Sequence, residues 1–329
     1  MMETPEKIVI IGAGSWGVAL AHQLRAGAGS DVWLLARSEA DCLTLRQGQV
    51  RQLPHLAQLA PFQVTVDAAI LAQADLILVA SPLSSYKVVS GQLSDYARAD
   101  CPVVFCSKGM IEDPRKGGVF IPEYMAGAEG AGRPIAMLTG PSFADELLQG
   151  LPTAILAASP SETLRQMLAD CYAGTALRVY QGNDMMGAAI GGSAKNVIAI
   201  AAGIIAGQGL GDNARAGLVT RGLAEMSRLA RAAGGMADTI SGLAGLGDLI
   251  LSCASTHSRN MAFGFAIGAG TAHEGRLAEG RFAASLLAAR ARYHQIDMPI
   301  CFAVDKIVNH NAPVAQTIKD VLARTPGDE

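Results

Sequence analysis

The stretch that most constrains this chain is KIVIIGAGSWG, residues 7–17, where an apolar run passes straight into Gly12, Gly14 and Gly17. Glycines at that spacing, between a strand and a helix, have separate physical tasks. The first permits a tight turn, the second lets the backbone approach a pyrophosphate, and the third lets the helix lie close on the sheet. The segment VALAHQLRAG that follows has helical spacing, so free N–H groups at its start would face the phosphates. DVWLLAR, residues 31–37, then reads as a second strand. Residues 7–37 therefore form one strand–helix–strand unit, about 30 residues long as a parallel crossover requires. A chain that opens this way is expected to build a parallel sheet with a dinucleotide site at its first turn, the alternative being a purely structural turn.

The same alternation continues. ADLILVASP (74–82), CPVVFCSKG (101–109), RPIAMLTGPS (133–142) and PTAILAAS (152–159) are apolar runs ending in turn residues, with helical stretches between them. Strands buried on both faces and separated by helices predict a Rossmann-type doubly wound parallel sheet. After Gln181 the texture changes to long Ala- and Leu-rich helical segments. With 329 residues, two domains are expected. We place a dinucleotide-binding domain at 1–182 and an all-α helical substrate domain at 183–329.

Composition narrows the class. The formal net charge is -3 with mixed signs throughout, which argues against a nucleic-acid surface. Six cysteines are scattered with no CxxC pair, fitting reduced thiols in the cytoplasm better than disulfides or zinc. No His, Cys or carboxylate cluster has metal spacing, so no metal is expected. MMETPEK leads directly into the first strand without a targeting pattern. No Asp, Glu, Lys or Arg occurs from Asn196 to Gly211, but glutamine and glycines interrupt that run. It falls short of the roughly 18 apolar residues of a membrane span and reads as a buried helix.

Individual polar residues then carry the chemistry. An NAD-specific site would place Asp or Glu about 20 residues after the glycine motif, whereas VWLLARSE places Arg37 there with Ser38 beside it. A guanidinium suits a 2′-phosphate, so NADP (NADPH) is preferred with NAD possible; the plain alternative is a solvated loop arginine. Lys108 ends a strand at the edge where such sheets bind ligands, and a solvated loop lysine is the alternative. Ser142 and Asp145 have capping-box spacing, so neither they nor Gly140 require a ligand. Lys195 is the sharper signal, a lone charge in GGSAKNVIAI. Gly191 and Gly192 lie four and three residues before it on the same helix face and predict a slot above the amine for another molecule. Burial would lower the lysine's pKa and suit it to proton transfer, unless the side chain escapes to water. Asp248, in GLAGLGDLIL, would hold a substrate hydroxyl or orient Lys195. Ser258 reads as a helix cap, placing Arg259 and Asn260 in a first turn suited to an anion.

Taken together, GAGSWG, SKG, TGPSFADE, GGSAKNVIAIAAG, GDNARAGLVTRGLAE, GLAGLGDLILSC and SRNMAFGFAIGAG resemble the bacterial-type NAD(P)-dependent glycerol-3-phosphate dehydrogenases in order and spacing, from about Ile8 to Ile307. The resemblance implies a homodimeric oxidoreductase that interconverts dihydroxyacetone phosphate and sn-glycerol 3-phosphate for phospholipid synthesis. It implies cofactor contacts at Ser15, Trp16, Arg37, Lys108, Ala144, Arg259, Leu277 and Glu279. It implies Lys195 as general acid/base, with Lys108 supplying positive charge at the reacting oxygen or the phosphate, Asp248 beside them, and Gly140, Ser142, Ser258, Arg259 and Asn260 around the substrate. The chain departs from the family pattern at Val18, at Leu83-Ser84 after Pro82, and in GRLAEG (275–280). A related β-hydroxyacid dehydrogenase would need a carboxylate clamp and leaves SRN unexplained. A silent NADPH sensor would not need Lys195 or Asp248.

Overall fold

The computed structural model describes residues 5–27, 29–127, 132–272 and 278–323. Ten strands occur among them: β1 (Lys7–Ile11), β2 (Asp31–Leu35), β3 (Gln63–Thr65), β4 (Leu76–Val79), β5 (Val103–Phe105), β6 (Ile111–Asp113), β7 (Gly117–Val119), β8 (Ile135–Thr139), β9 (Thr153–Ala158) and β10 (Leu177–Gly182). The chain divides into two compact units. One is Met1–Lys108 with Ile121–Ala188, and the other is Gly109–Phe120 with Ala189–Glu329. The division thus falls six residues later than the expected 182/183 junction and assigns an early segment to the second unit.

The first unit is built on an eight-stranded sheet in the order β3-β2-β1-β4-β5-β8-β9-β10. Ile8, Val9, Ile10, Leu76, Ile77 and Leu78 are fully buried, as strands covered on both faces must be. Strand order reverses between β1 and β4, the place where open sheets of this kind take their ligands. The sheet is parallel except at one junction, where β8 and β9 are antiparallel. Only the five-residue helix Ala144–Leu148 lies between them. Such a helix spans about 8 Å, too little to carry the chain back along a strand of about 17 Å, so β9 returns in the opposite direction.

The second unit is helical with one exception. The antiparallel hairpin of β6 and β7 belongs to it and packs on the helix Glu279–Tyr293. A Cβ on Gly117 would strike the Ala289 side chain, and one on Gly118 would lie 3.1 Å from the Leu286 Cβ. The two strands, IED and GGV, are three residues each and give little periodic signal, and they lie outside the 183–329 segment expected to be helical.

The central helix runs Met185–Gly207. It is long and apolar enough to cross a membrane by length and composition, yet 94% of its most apolar window is buried within the protein. Much of that burial is backbone on backbone. A Cβ on Gly203 would meet the Met261 carbonyl and lie 2.7 Å from the Phe265 nitrogen. One on Gly207 would meet the Phe265 carbonyl, and Gly264 and Gly268 stand in the same relation to Ile200 and Ile204. Glycines four apart on both partners let this helix and Arg259–Ala269 touch directly. A further brace is Glu225, which accepts from the N–H groups of Ile300 at 2.7 Å and Cys301 at 3.1 Å. It satisfies the open end of helix Pro299–His310, whose own Met298 cap has no side-chain bond.

Candidate active site

In the first unit the three motif glycines show three different surroundings. Gly12 has φ +114°, and a Cβ there would lie 2.7 Å from the Ser81 nitrogen beyond β4. A Cβ on Gly17 would strike the Gly12 carbonyl, so this glycine seats the helix Ser15–Gly27 on the turn. Gly14 has nothing within 4 Å of its Cβ position, which is the open backbone approach a pyrophosphate requires. Ser15 and Trp16, half-buried, begin the helix. Ala144 starts the short helix packed on that one, tied by the Gln23 amide donating to the Leu147 carbonyl at 3.0 Å. Arg37 follows β2, is exposed, and makes no ion pair among the described residues. The cradle fits a dinucleotide.

Lys108, Gly140 and Ser142 meet at one atom. The Gly140 carbonyl accepts from Lys108 Nζ at 3.3 Å and from Ser142 Oγ at 3.0 Å. Gly140 itself has φ +148° and packs so closely on β9 that a Cβ would lie 2.9 Å from the Ile155 Cα. The expected capping box is absent: Phe143 occupies the cap position of helix Ala144–Leu148 without a side-chain bond. Ser142 spends its proton on Gly140 instead.

In the second unit Lys195 is 9% exposed, Asp248 1% and Ser252 2%. Lys195 Nζ donates to Ser252 Oγ at 2.7 Å and lies 3.0 Å from Asp248 Oδ1. The carboxylate offsets the cost of burying an ammonium, and removing either member of such a pair costs about 3–5 kcal/mol. Asp248 opens the helix Asp248–Ala254 directly after a single π turn, Leu243–Gly247. The space over Gly191 is filled by that turn. A Cβ there would strike the Ala244 carbonyl and lie 3.2 Å from the Gly245 nitrogen. On the Gly191 side the predicted slot is therefore occupied by protein, and Gly191 serves to bring the Asp248 turn down onto the lysine helix.

Of the residues expected to face an anion, Asn260 is held from two sides. Asn260 Nδ2 donates to Asn196 Oδ1 at 2.9 Å, while Asn260 Oδ1 accepts from the Gly280 N–H at 2.9 Å. Ser258 holds the cap position of helix Arg259–Ala269, but its hydroxyl makes no cap bond. Arg259 and Glu279 lie 3.8 Å apart, both well exposed. Leu277 lies outside the described residues.

Two family models cover most of the chain: the NAD-dependent glycerol-3-phosphate dehydrogenase N-terminus matches residues 7–165 and the corresponding C-terminus matches 184–319. The chain belongs to the NAD-dependent glycerol-3-phosphate dehydrogenase family. It is 41% identical over 323 residues to a glycerol-3-phosphate dehydrogenase (NAD(P)+) of Agrobacterium fabrum, covering 97% of this chain and 98% of that one. A Sphingopyxis alaskensis protein of the same name is 43% identical, covering 96% of each chain. The crystal structure of glycerol-3-phosphate dehydrogenase from Coxiella burnetii superposes with a TM-score of 0.89 at 34% identity, covering 97% of this chain and 99% of that one.

Within this dehydrogenase fold the structure adds residues that sequence reasoning passed over. Ser252 sits four residues after Asp248, one helical turn away on the same face, a spacing that was there to be read. Ser193 is fully buried and holds both backbone groups of Gly109, accepting from its N–H at 3.1 Å and donating to its carbonyl at 2.7 Å. No local pattern announces a contact between residues 84 apart. The cysteines are all buried. Burial pushes the Cys253 thiol up to about 12 even against the Lys195 charge, so it stays protonated and is no nucleophile.

Proposed function

We propose that this chain reduces dihydroxyacetone phosphate to sn-glycerol 3-phosphate, reversibly, and so feeds glycerophospholipid synthesis, with NADPH preferred and NADH accepted. The observation that carries this reading is the buried Lys195 held by Asp248 and Ser252. Reduction of a ketone needs a hydride for carbon and a proton for oxygen. A nicotinamide, when bound, supplies the hydride, and Gly12, Gly14, Ser15, Trp16, Gly17, Arg37 and Ala144 are the residues that would hold it. Lys195 gives its proton to the oxygen as charge develops there, and takes it back in oxidation. Asp248 and Ser252 fix the ammonium's direction in a site shielded from water, where such charge stabilisation is strongest.

Arg259, with the unclaimed first-turn N–H groups behind Ser258, would grip the substrate phosphate, and Asn260 would be positioned by Asn196 and Gly280. Lys108, Gly140 and Ser142 are assigned to the substrate on the family resemblance, and Arg37 to the 2′-phosphate of NADPH. The same reading makes the enzyme a cytoplasmic homodimer. Initial rates of reduction of dihydroxyacetone phosphate against short 3-oxo acids, each with NADPH and NADH, test it. Turnover confined to the phosphorylated triose, faster with NADPH at limiting cofactor, is expected. Preference for an unphosphorylated acid would overturn it.

A further inference from the structure

The chain leaving β2 carries a charged pair that the reading above does not use. Ile11 stands opposite Leu35 in the β1–β2 register, and the Gly12 N–H donates to the Leu35 carbonyl at 3.0 Å. Residues 37 and 38 therefore emerge beside the glycine-rich turn. Ser38 caps the helix Glu39–Arg46. Its hydroxyl accepts from the Asp41 N–H at 3.2 Å and donates to Asp41 Oδ2 at 2.7 Å. The other Asp41 oxygen lies 3.4 Å from Arg51 Nη1. Asp41 and Arg51 also line one small pocket together with Ala13, the residue between Gly12 and Gly14. Buried Val50 anchors the loop that presents Arg51.

A carboxylate and a guanidinium at the ribose end of a dinucleotide make opposite demands. The carboxylate accepts from a 2′-hydroxyl and repels a 2′-phosphate, and the guanidinium does the reverse. Here each neutralises the other across a contact that is weak and reachable by solvent, with the Arg51 side chain 66% exposed and Asp41 21%. The Ser38 proton is already committed to Asp41, so phosphate recognition falls to the arginines. We propose that Asp41 and Arg51 are an exchangeable pair that lets one site hold either form of the cofactor. Arg51 leaves Asp41 for a 2′-phosphate and joins Arg37; without that phosphate, Asp41 accepts from the 2′-hydroxyl. This rests on the reading that residues 37–38 lie at the ribose.

The test is fluorescence titration of the full chain with NADPH and NADH, without substrate, for Asp41→Asn, Arg51→Ala and Arg37→Ala. Asp41→Asn keeps the side chain's shape and is expected to weaken NADH about three- to tenfold, the range of one exposed charged contact, without weakening NADPH. Arg51→Ala should weaken NADPH by a similar factor, less at high salt, and leave NADH within about twofold. Equal effects on both cofactors, or none, in these two variants overturn the pair. If Arg37→Ala alone shifts NADPH, the pair fails while the ribose-end assignment stands. If none of the three alters the ratio, both fail.

Discussion

Replacing Gly191 with alanine isolates the contact that sets Asp248 above Lys195. The added Cβ would overlap the Ala244 carbonyl and stand 2.8 Å from its carbon, and these are backbone atoms that no rotamer change can clear. Overpacking of this kind costs about 1–3 kcal/mol, and the upper half applies where main chain must move. Alanine's better helix propensity returns about 0.5–1 kcal/mol, leaving a net loss of about 1–2 kcal/mol. Gly217→Ala is the matched control, because Gly217 lies in the helix Gly211–Ala232 with nothing within 4 Å of its Cβ position. It should gain about 0.5–1 kcal/mol from propensity alone. The two variants should therefore differ by about 2 kcal/mol in denaturant unfolding. Because the displaced π turn leads directly into Asp248, kcat/KM should also fall at least tenfold in Gly191→Ala, with NADPH affinity unchanged. A Gly191→Ala protein as stable and active as the parent would refute the assignment of this glycine to backbone packing.

Three other perturbations separate the parts of the site. Lys195→Ala should abolish turnover while NADPH still binds; near-parental rates would remove Lys195 as the proton donor. Arg37→Ala should raise KM for NADPH by more than for NADH, and equal increases would return Arg37 to an ordinary surface residue. Glu225 gives a pH dependence, since burial raises its carboxyl from 4.5 to about 7 in the folded chain against the pull of two backbone N–H groups. The native state then binds more protons than the unfolded chain between those values, so stability should fall by about 3 kcal/mol as pH rises through that window. Glu225→Gln should flatten that slope in urea midpoints compared at pH 5 and pH 8, and an unchanged slope would assign it elsewhere.

What could be read from sequence was what repeats or stands out locally. The glycine spacing at 12, 14 and 17 and the buried runs at 74–82 and 101–109 specify a doubly wound sheet, because strand and helix periods are properties of neighbouring residues. Lys195 was visible as a charge without company. Its company was legible only in part: Asp248 reads either as the holder of a substrate hydroxyl or as the group that orients Lys195, and Ser252 was passed over. Gly191 looked like room for a ligand and Ser142 like a cap. The first is decided by a distant partner, the Ala244 turn, and the second by the chain folding back two residues onto the Gly140 carbonyl. Local spacing carries no information about which remote backbone fills a space.

The touching helices Met185–Gly207 and Arg259–Ala269 have a consequence for how this site can vary. Because four glycines bring main chain against main chain, neither helix can slide or roll past the other without collision. Lys195 and Asn196 precede Gly203 by about two turns, and Asn260 precedes Gly264 by about one, so the contact acts as a ruler for the Lys195 ammonium and the amide beside it. One residue inserted between Lys195 and Gly203 would swing the lysine about 100° around its axis and away from Asp248. Side chains in this region are therefore open to change, while the count of residues between them is not.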